Sequence, residues 1–405
     1  GIAAAPFTLG ASLVLTYIAF VGTAASGAQC LNSLWRTRNE LINPAELWLQ
    51  TQSNLNQWSD LLRASGGALK PEKCFWYSLD YKCNAGIWSY VDTSDFELKI
   101  INADGEEIII EQKTPTMSMK TLGVNDAPAG GNVAHLEYLS NKSKIWINRM
   151  KNGHLPSHIA WMAYKLQLWA SLRYGIGTMT NDIEEAEGLF KEQEQGLLNI
   201  LGIVKNVKRE LRRLQPTFGG FGLFNLPIEQ LVGRINLMMQ HYHTPSNLSR
   251  KLDVSLNYQQ LQVGTNKNPL TLNYDKWGHL ATFSWTKMLW RSLKYHAVDL
   301  YMKFEEIPFP REKDILVMEL IMERISSATA IQSLNRCRCY LSALFLSDIT
   351  TADGKYLEQL AMIPCENGTK SRYKFPREAP TQADWKRWQR FWTDYTSIGN
   401  RLPVE

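Results

Sequence analysis

The apolar positions divide the chain into a short β-rich front and a long helical remainder. Asn43-Pro44 opens a helix, since proline is tolerated in a first turn, and Leu47, Leu55, Trp58, Leu61 and Leu62 mark its apolar side. The glycine pair Gly66-Gly67 stops that helix by supplying the left-handed conformation a helix end needs, and Pro71 fixes the turn beyond it. The Cys74-Phe75-Trp76-Tyr77 run then reads as a buried strand. Two hairpins follow. Residues 73–82 pair with 86–91 around Asn84-Ala85-Gly86, and residues 96–101 pair with 107–112 around Ala103-Asp104-Gly105, where Asp-Gly is a strong turn signal. A short strand from Met119 to Val124 closes the block, and Pro128, Gly130, Gly131 and Asn132 form a linker.

From about residue 132 the period becomes helical. Leu136, Leu139, Ile145 and Met150 mark one helix ending at Asn152-Gly153. Further helices are predicted over 156–173 and 181–201, and after Pro227 and Pro245. Beyond Asn273 the pattern is mixed: helices near 277–296 and 312–326, a strand pair around Tyr340–Ile349, and a last helix from about Thr381. The expected fold class is α+β, with a small sheet, a helical bundle and a mixed tail over domains 1–130, 131–263 and 264–405.

Composition narrows the class. The chain has 405 residues, 44% hydrophobic and 20% charged, which is the profile of a globular protein with a sizeable core. A net charge of +5 permits a polyanionic partner without demanding one. The cysteines (30, 74, 83, 337, 339 and 365) are too few and too irregular for a disulfide scaffold, so free thiols in a reducing, intracellular compartment (cytoplasm or nucleus) are expected. The sequence begins at Gly1 without an initiator methionine, as a fragment or a processed form would. Its first 35 residues carry no charge, and Leu9–Ala28 has the length of a membrane span. Small and hydroxyl residues dilute that window and no basic start precedes it, so a buried helix and strand is the preferred reading. A non-enzymatic interaction protein anchored at about Leu9–Ala28 is the alternative.

Two basic stretches invite chemistry. Val204, Val207, Leu211 and Leu214 fall on one helical face, and Lys205, Lys208, Arg209, Arg212 and Arg213 on the other. Such a face tracks a phosphate backbone or is merely solvated. Trp385, Trp388 and Trp392 alternate with Lys386, Arg387 and Arg390. Docking of the last helix by its tryptophans is favoured there over stacking on bases. His241-Tyr242-His243 and Cys337-Arg338-Cys339 lack the second ligand pair that structural zinc needs, so no metal site is assigned. Gly220-Phe221-Gly222 reads as a loop, and Tyr90-Val91-Asp92-Thr93, with Asp95 nearby, as a hairpin strand with a surface aspartate. No small-molecule substrate suggests itself.

Several blocks stand in an order that resembles a reverse transcriptase, the RNA-directed DNA polymerase of a eukaryotic mobile element, over most of the chain. Gly1-Ile2-Ala3-Ala4-Ala5-Pro6 is similar to the family's Gly-rich block, and Gly66-Gly67-Ala68-Leu69 through Lys73 to the next block, whose lysine assists nucleotide addition. Thr121-Leu122-Gly123-Val124 resembles the strand turn that grips the primer end. His154-Leu155-Pro156, Ala160-Trp161, Leu172-Arg173-Tyr174 and Gly219-Gly220-Phe221-Gly222-Leu223 resemble the thumb and the loop beyond it. Asp275–Leu280 and Leu334–Arg338 resemble segments of retroelement proteins.

The resemblance implies a palm edge, a thumb and a connection-like tail, with nucleic acid as partner through Leu122, Gly123 and the five cations of 205–213. It also implies a lost activity. The family holds two Mg²⁺ on adjacent aspartates at a hairpin tip, and Phe20-Val21-Gly22-Thr23 stands at that position. Lys73 then flanks a site without carboxylates, and no cofactor is expected.

Overall fold

In the computed structural model, residues 13–20, 44–67, 69–71, 74–84, 87–91, 96–102, 104–121, 123–242, 244–363, 373 and 378–396 are described, with backbone alone for 13–20, 44–47, 79–84, 87, 88, 91, 121, 190 and 192. The chain divides into two compact units, residues 1–145 and 146–405.

The first unit is a mixed sheet backed by one helix. Strand β1 (Leu13–Phe20) pairs antiparallel with the first eight residues of β2 (Cys74–Asn84), Phe20 lying opposite Cys74. β3 (Ile87–Val91) folds back on the far end of β2. β4 (Leu98–Ile101) and β5 (Glu107–Lys113) form the second hairpin, and β5 lies parallel to β2. The chain order along the sheet is β1-β2-β5-β4. The β4–β5 turn is closed by Asn102, whose Oδ1 accepts from the amides of Asp104 and Glu106 at 2.9 and 2.8 Å. Gly105 takes the positive φ of 88° that the turn requires.

Helix α1 (Pro44–Ala64) covers the sheet. It ends as its glycines predict: Gly66 is left-handed, its amide reaches Arg63 O, and the Gly67 amide reaches back to Leu62 O at 2.8 Å. Leu55 joins Leu69, Cys74, Trp76, Leu98, Ile100 and Ile110 in the core, with Trp58 and Leu62 packed at its edge. Leu61, expected on the apolar side, is exposed instead. Gln52 acts as a strand partner at the sheet's edge, donating to Lys99 O and accepting from Lys99 N.

The expected single strand Met119–Val124 is two strands, β6 (Met119–Thr121) and β7 (Val124–Asp126), paired antiparallel around a two-residue turn. The window 9–28 is not one helix, because Leu13–Phe20 is strand. Among the described residues no helix is long and apolar enough to cross a membrane.

Helix α2 (Val133–Gly153) carries the boundary between the units. Its buried positions run His135, Leu139, Ser143 and Ile147, every fourth residue, while Ile145 is exposed. The period is the expected one, but a histidine and a serine occupy the face that leucines and isoleucines were expected to fill.

The second unit is helical. α3 (Ser157–Ala163), a π-helical turn (Tyr164–Trp169) and α4 (Ala170–Arg173) run end to end. α5 (Ile183–Leu197) starts at a capping box made by Asp182 and Glu185. α6 (Arg209–Arg213), α7 (Leu226–His241), α8 (Asn247–Val263), α9 (Tyr274–Trp277), α10 (Trp285–Tyr295), α11 (Val317–Arg324), α12 (Ala328–Leu341) and α13 (Gln382–Tyr395) follow. One apolar cluster runs from Leu231 to Trp392 through α7, α8, α10, α11, α12 and α13, without a break at residue 263.

The strand pair expected around Tyr340–Ile349 is absent: α12 runs to Leu341 and a 3₁₀ turn occupies Leu346–Ile349, leaving only the single bridges Leu316–Phe345 and Thr350–Leu357. Tyr340 packs on Trp385 from within α12, while Leu344, Phe345 and Ile349 are buried from irregular backbone and the 3₁₀ turn, so burial here needs no sheet.

Two glycines set a close crossing. A Cβ on Gly177 would lie 2.8 Å from the Gly233 carbonyl carbon, so the turn Ile176–Thr178 sits directly on α7. Two arginines are fully buried with carbonyls as their main acceptors. Arg234 donates to Met179 O, Asn181 O, Met288 O and Ser292 Oγ, and burial pushes its pKa down to about 10. Arg338 donates to Leu261 O, Gln262 O, Ala343 O and Asn335 Oδ1.

Candidate nucleic-acid interface

Among the described residues of the first unit, basic and aromatic side chains gather at the β6–β7 turn. Gly123 has φ of 88°, which lets two residues join the strands. Asn125 N donates to His135 Nδ1 at 3.2 Å, so the neutral imidazole carries its proton on Nε2. Burial lowers the His135 pKa, with Asp126 opposing that shift and Lys120 adding to it. The imidazole stacks on Tyr138, centroids 6.0 Å apart.

Tyr138 in turn sits between two cations. Lys120 Nζ donates to its hydroxyl at 3.2 Å and lies 4.5 Å from the ring centroid, and Lys142 Nζ lies 5.6 Å from the same centroid. The hydrogen bond from Lys120 is the main cause of a lowered Tyr138 pKa. Lys120 is exposed and Tyr138 and Lys142 are half-buried. A flat ring flanked by two ammonium groups offers a backbone phosphate its charge and a base its stacking partner. Gly123 therefore lies beside a basic aromatic corner, while Leu122 lies outside the described residues.

Sequence reasoning did not single out Lys120, His135, Tyr138 or Lys142. Their signal was available: His135, Tyr138 and Lys142 follow one another at helical spacings of three and four in the first turns of α2.

Of the stretch Phe20-Val21-Gly22-Thr23, only its first residue is described. Phe20 pairs with Cys74, the residue after Lys73. Val21, Gly22, Thr23, Lys73, Asp92 and Asp95 lie outside the described residues. By chemistry alone, Phe20-Val21-Gly22-Thr23 offers no anionic oxygen and does not fit a pair of Mg²⁺ ions. Among the described residues no cluster of His, Cys, Asp or Glu side chains could hold a metal ion.

In the second unit the basic stretch 205–213 departs from its expected geometry. Only Arg209–Arg213 is helical, and Val204, Leu211 and Leu214 are exposed rather than docked. Arg212 turns inward. Its Nη1 meets Glu194 Oε1 at 2.9 Å, its Nε meets Val207 O and its Nη2 meets Lys205 O, which ties the 205–207 turn to α5. Arg213 reaches the other Glu194 oxygen at 3.2 Å. Burial, and then Arg209, lowers the Arg213 pKa, Glu194 opposing. Glu194 is itself 3% exposed, so this is a buried two-to-one pairing rather than a surface bridge. Lys205 and Lys208 remain exposed and Arg209 is half-buried. Five cations on one solvated face reduce to three.

Elsewhere, Trp385, Trp388 and Trp392 are buried and dock α13, while Lys386, Arg387 and Arg390 face solvent. Trp388 Nε1 donates to Ala361 O at 2.9 Å. Cys337 is buried and its pKa is raised by that burial, which leaves it an inert thiol. Gly220-Phe221-Gly222 lies in a loop. Comparison of the chain with protein-family models, with curated proteins and with solved structures finds no match.

Proposed function

We propose that the chain is a reverse-transcriptase-derived, intracellular protein of a mobile element. It has lost metal-dependent nucleotide transfer and keeps a weak, salt-dependent grip on nucleic acid. The observation that carries this reading is the Lys120–Tyr138–Lys142 corner at the β6–β7 turn, the stretch whose sequence resembles the family's primer-gripping turn. The pairing of β1 with β2 adds support, since Phe20, first residue of the degenerate block, lies opposite Cys74, which follows Lys73 in the sequence. Within the second unit, taken by itself, Lys205, Lys208 and Arg209 offer a separate set of cations to the same class of partner. The carboxylate-free Phe20–Thr23 stretch accounts for the lost chemistry.

The test is filter binding of the full chain to a labelled RNA/DNA primer–template across a salt series. Binding that weakens steeply with salt is expected, with the slope falling by about 0.7–0.9 for each of Lys120→Ala and Lys142→Ala. No primer extension is expected with Mg²⁺ and nucleotides. Binding independent of salt, or clear extension, overturns the reading.

A further inference from the structure

A cavity of about 360 Å³ opens between α11, α12 and α13, and it is lined by three arginines against an apolar wall. Arg324, at the end of α11, and Arg387 and Arg390, on an exposed flank of α13, supply the guanidinium groups. Ile325, Ala330, Leu334 and Phe391 supply the wall, and Asp394 is the one carboxylate in the lining. Arg324 stands 4.6 Å over the Tyr395 ring, so one arginine is already oriented by an aromatic face. Among the described residues none of the three guanidinium groups is in an ion pair. The lining thus carries two more positive than negative charges, with planar donor forks free to bind.

The sequence spacing makes this arrangement. Trp385, Trp388 and Trp392 point α13 inward, and Arg387 and Arg390, three residues apart, stand exposed at the flank of the helix where Phe391 and Tyr395 border the cavity. Arginine forks match a phosphate bidentately, and the volume falls within the range of small-ligand sites. An apolar wall next to the cations selects a phosphate that carries a flat or apolar group over a bare one.

We infer that this pocket binds a nucleoside monophosphate unit: its phosphate on Arg324, Arg387 and Arg390, and its base against the half-buried Ile325 and Ala330 of the apolar wall. The inference rests on the pocket's chemistry and is independent of the polymerase-derived reading above. The unit has two possible sources, a free nucleotide or one residue of a single strand.

Titration calorimetry on the full chain separates them, with AMP, adenosine, inorganic phosphate and a ten-nucleotide oligo(dT) as probes. AMP saturation assigns a free nucleotide, and binding of the oligo(dT) alone assigns a strand residue. In either case Arg387→Ala and Arg390→Ala each weaken binding about tenfold or more, while Asp394→Asn tightens it a few-fold. Both arginines are exposed, and an unchanged melting curve verifies that the variants fold. Three results overturn the assignment: no binding of AMP or oligo(dT), binding unaffected by the arginine variants, or adenosine or phosphate binding as tightly as AMP. The Lys120 and Lys142 variants leave AMP binding, and the part of oligo(dT) binding that Arg387→Ala and Arg390→Ala remove, unchanged, so its failure is distinct from failure of the primer–template test.

Discussion

Two basic stretches of the helical unit look alike as sequence and fold in opposite senses. In 205–213 the arginines turn in and the apolar residues turn out: Arg212 and Arg213 bind buried Glu194, while Val204 is 67% exposed. In α13 the tryptophans turn in and the cations turn out. Helix length and acceptor supply decide between them. α13 has fourteen residues, a capping box at Thr381 and Asp384, and three tryptophans with enough area to fix its face. α6 has five residues, too few to hold an apolar stripe against the body. A buried carboxylate nearby then claims the arginines. A basic face written in sequence becomes a binding surface only where no internal acceptor competes for it.

The largest way to probe that rule is to remove an inward arginine outright. Arg338→Ala strips donors from the carbonyls of Leu261, Gln262 and Ala343 and from Asn335 inside a closed core. A loss of about 4 kcal/mol is expected, read as a lower urea midpoint at constant slope. Arg338→Lys recovers little of it, because an ammonium cannot span the acceptor set. Near-neutral behaviour in Arg338→Ala would show that inward arginines are tolerated rather than required.

Asp384 tests the outward-facing stretch from its buried end. Burial alone would raise its pKa, but hydrogen bonds from Arg336, Ser333 and Thr381 outweigh it and hold the carboxyl well below the usual range. The folded value is depressed, so its contribution is fully present above the unfolded carboxylate value near 4. That contribution is lost as pH falls below it. Asp384→Asn should cost about 3 kcal/mol at pH 7 and flatten the stability curve below pH 4. An acid limb unchanged in the variant would assign that loss to other carboxylates.

How far the sequence carried these outcomes depends on whether a signal was local. The Gly66-Gly67 stop, the Asp104-Gly105 turn and the α13 face were all legible, because each is set by neighbours within a few residues. The Glu194 pairing was not, since it joins positions eighteen and nineteen apart and no periodicity marks an acidic residue as buried. His135 and Ser143 on the buried face of α2 escaped for a related reason: polar residues count as exposed until a specific partner appears, here Asn125 N and Leu139 O. The strand pair expected near Tyr340–Ile349 failed because short apolar runs such as Ala343-Leu344-Phe345 are buried from turn and helix end as readily as from sheet. Of the candidate interface, the residues gave one strand over Met119–Val124, only the resemblance pointed to a turn at Gly123, and the cations that surround Tyr138 were found only in the fold.

A smaller effect separates structural from binding arginines. Glu194→Gln keeps the shape and removes the charge facing Arg212 and Arg213, at an expected cost of about 2 kcal/mol. Arg212→Ala should likewise lower the urea midpoint and leave the salt dependence of the proposed nucleic-acid binding unchanged, because its donors are committed internally. A lower salt slope in Arg212→Ala, without loss of stability, would return this arginine to the solvated face.

The smallest stability effect belongs to the residues with the largest expected role in binding. Lys120 is exposed, and its contacts to Tyr138 are solvent-screened, so Lys120→Ala should change unfolding free energy by no more than about 0.5 kcal/mol. Loss of its hydrogen bond removes the main cause of the lowered Tyr138 pKa, so the phenol should titrate at higher pH in the variant. That shift, followed by Tyr138 ring resonances through an alkaline titration, reports the corner's geometry without any ligand. If the tyrosine titrates unchanged while binding still weakens, Lys120 acts only as a distant charge. If the pKa rises and the salt slope falls together, one lysine both orders the ring and meets the phosphate.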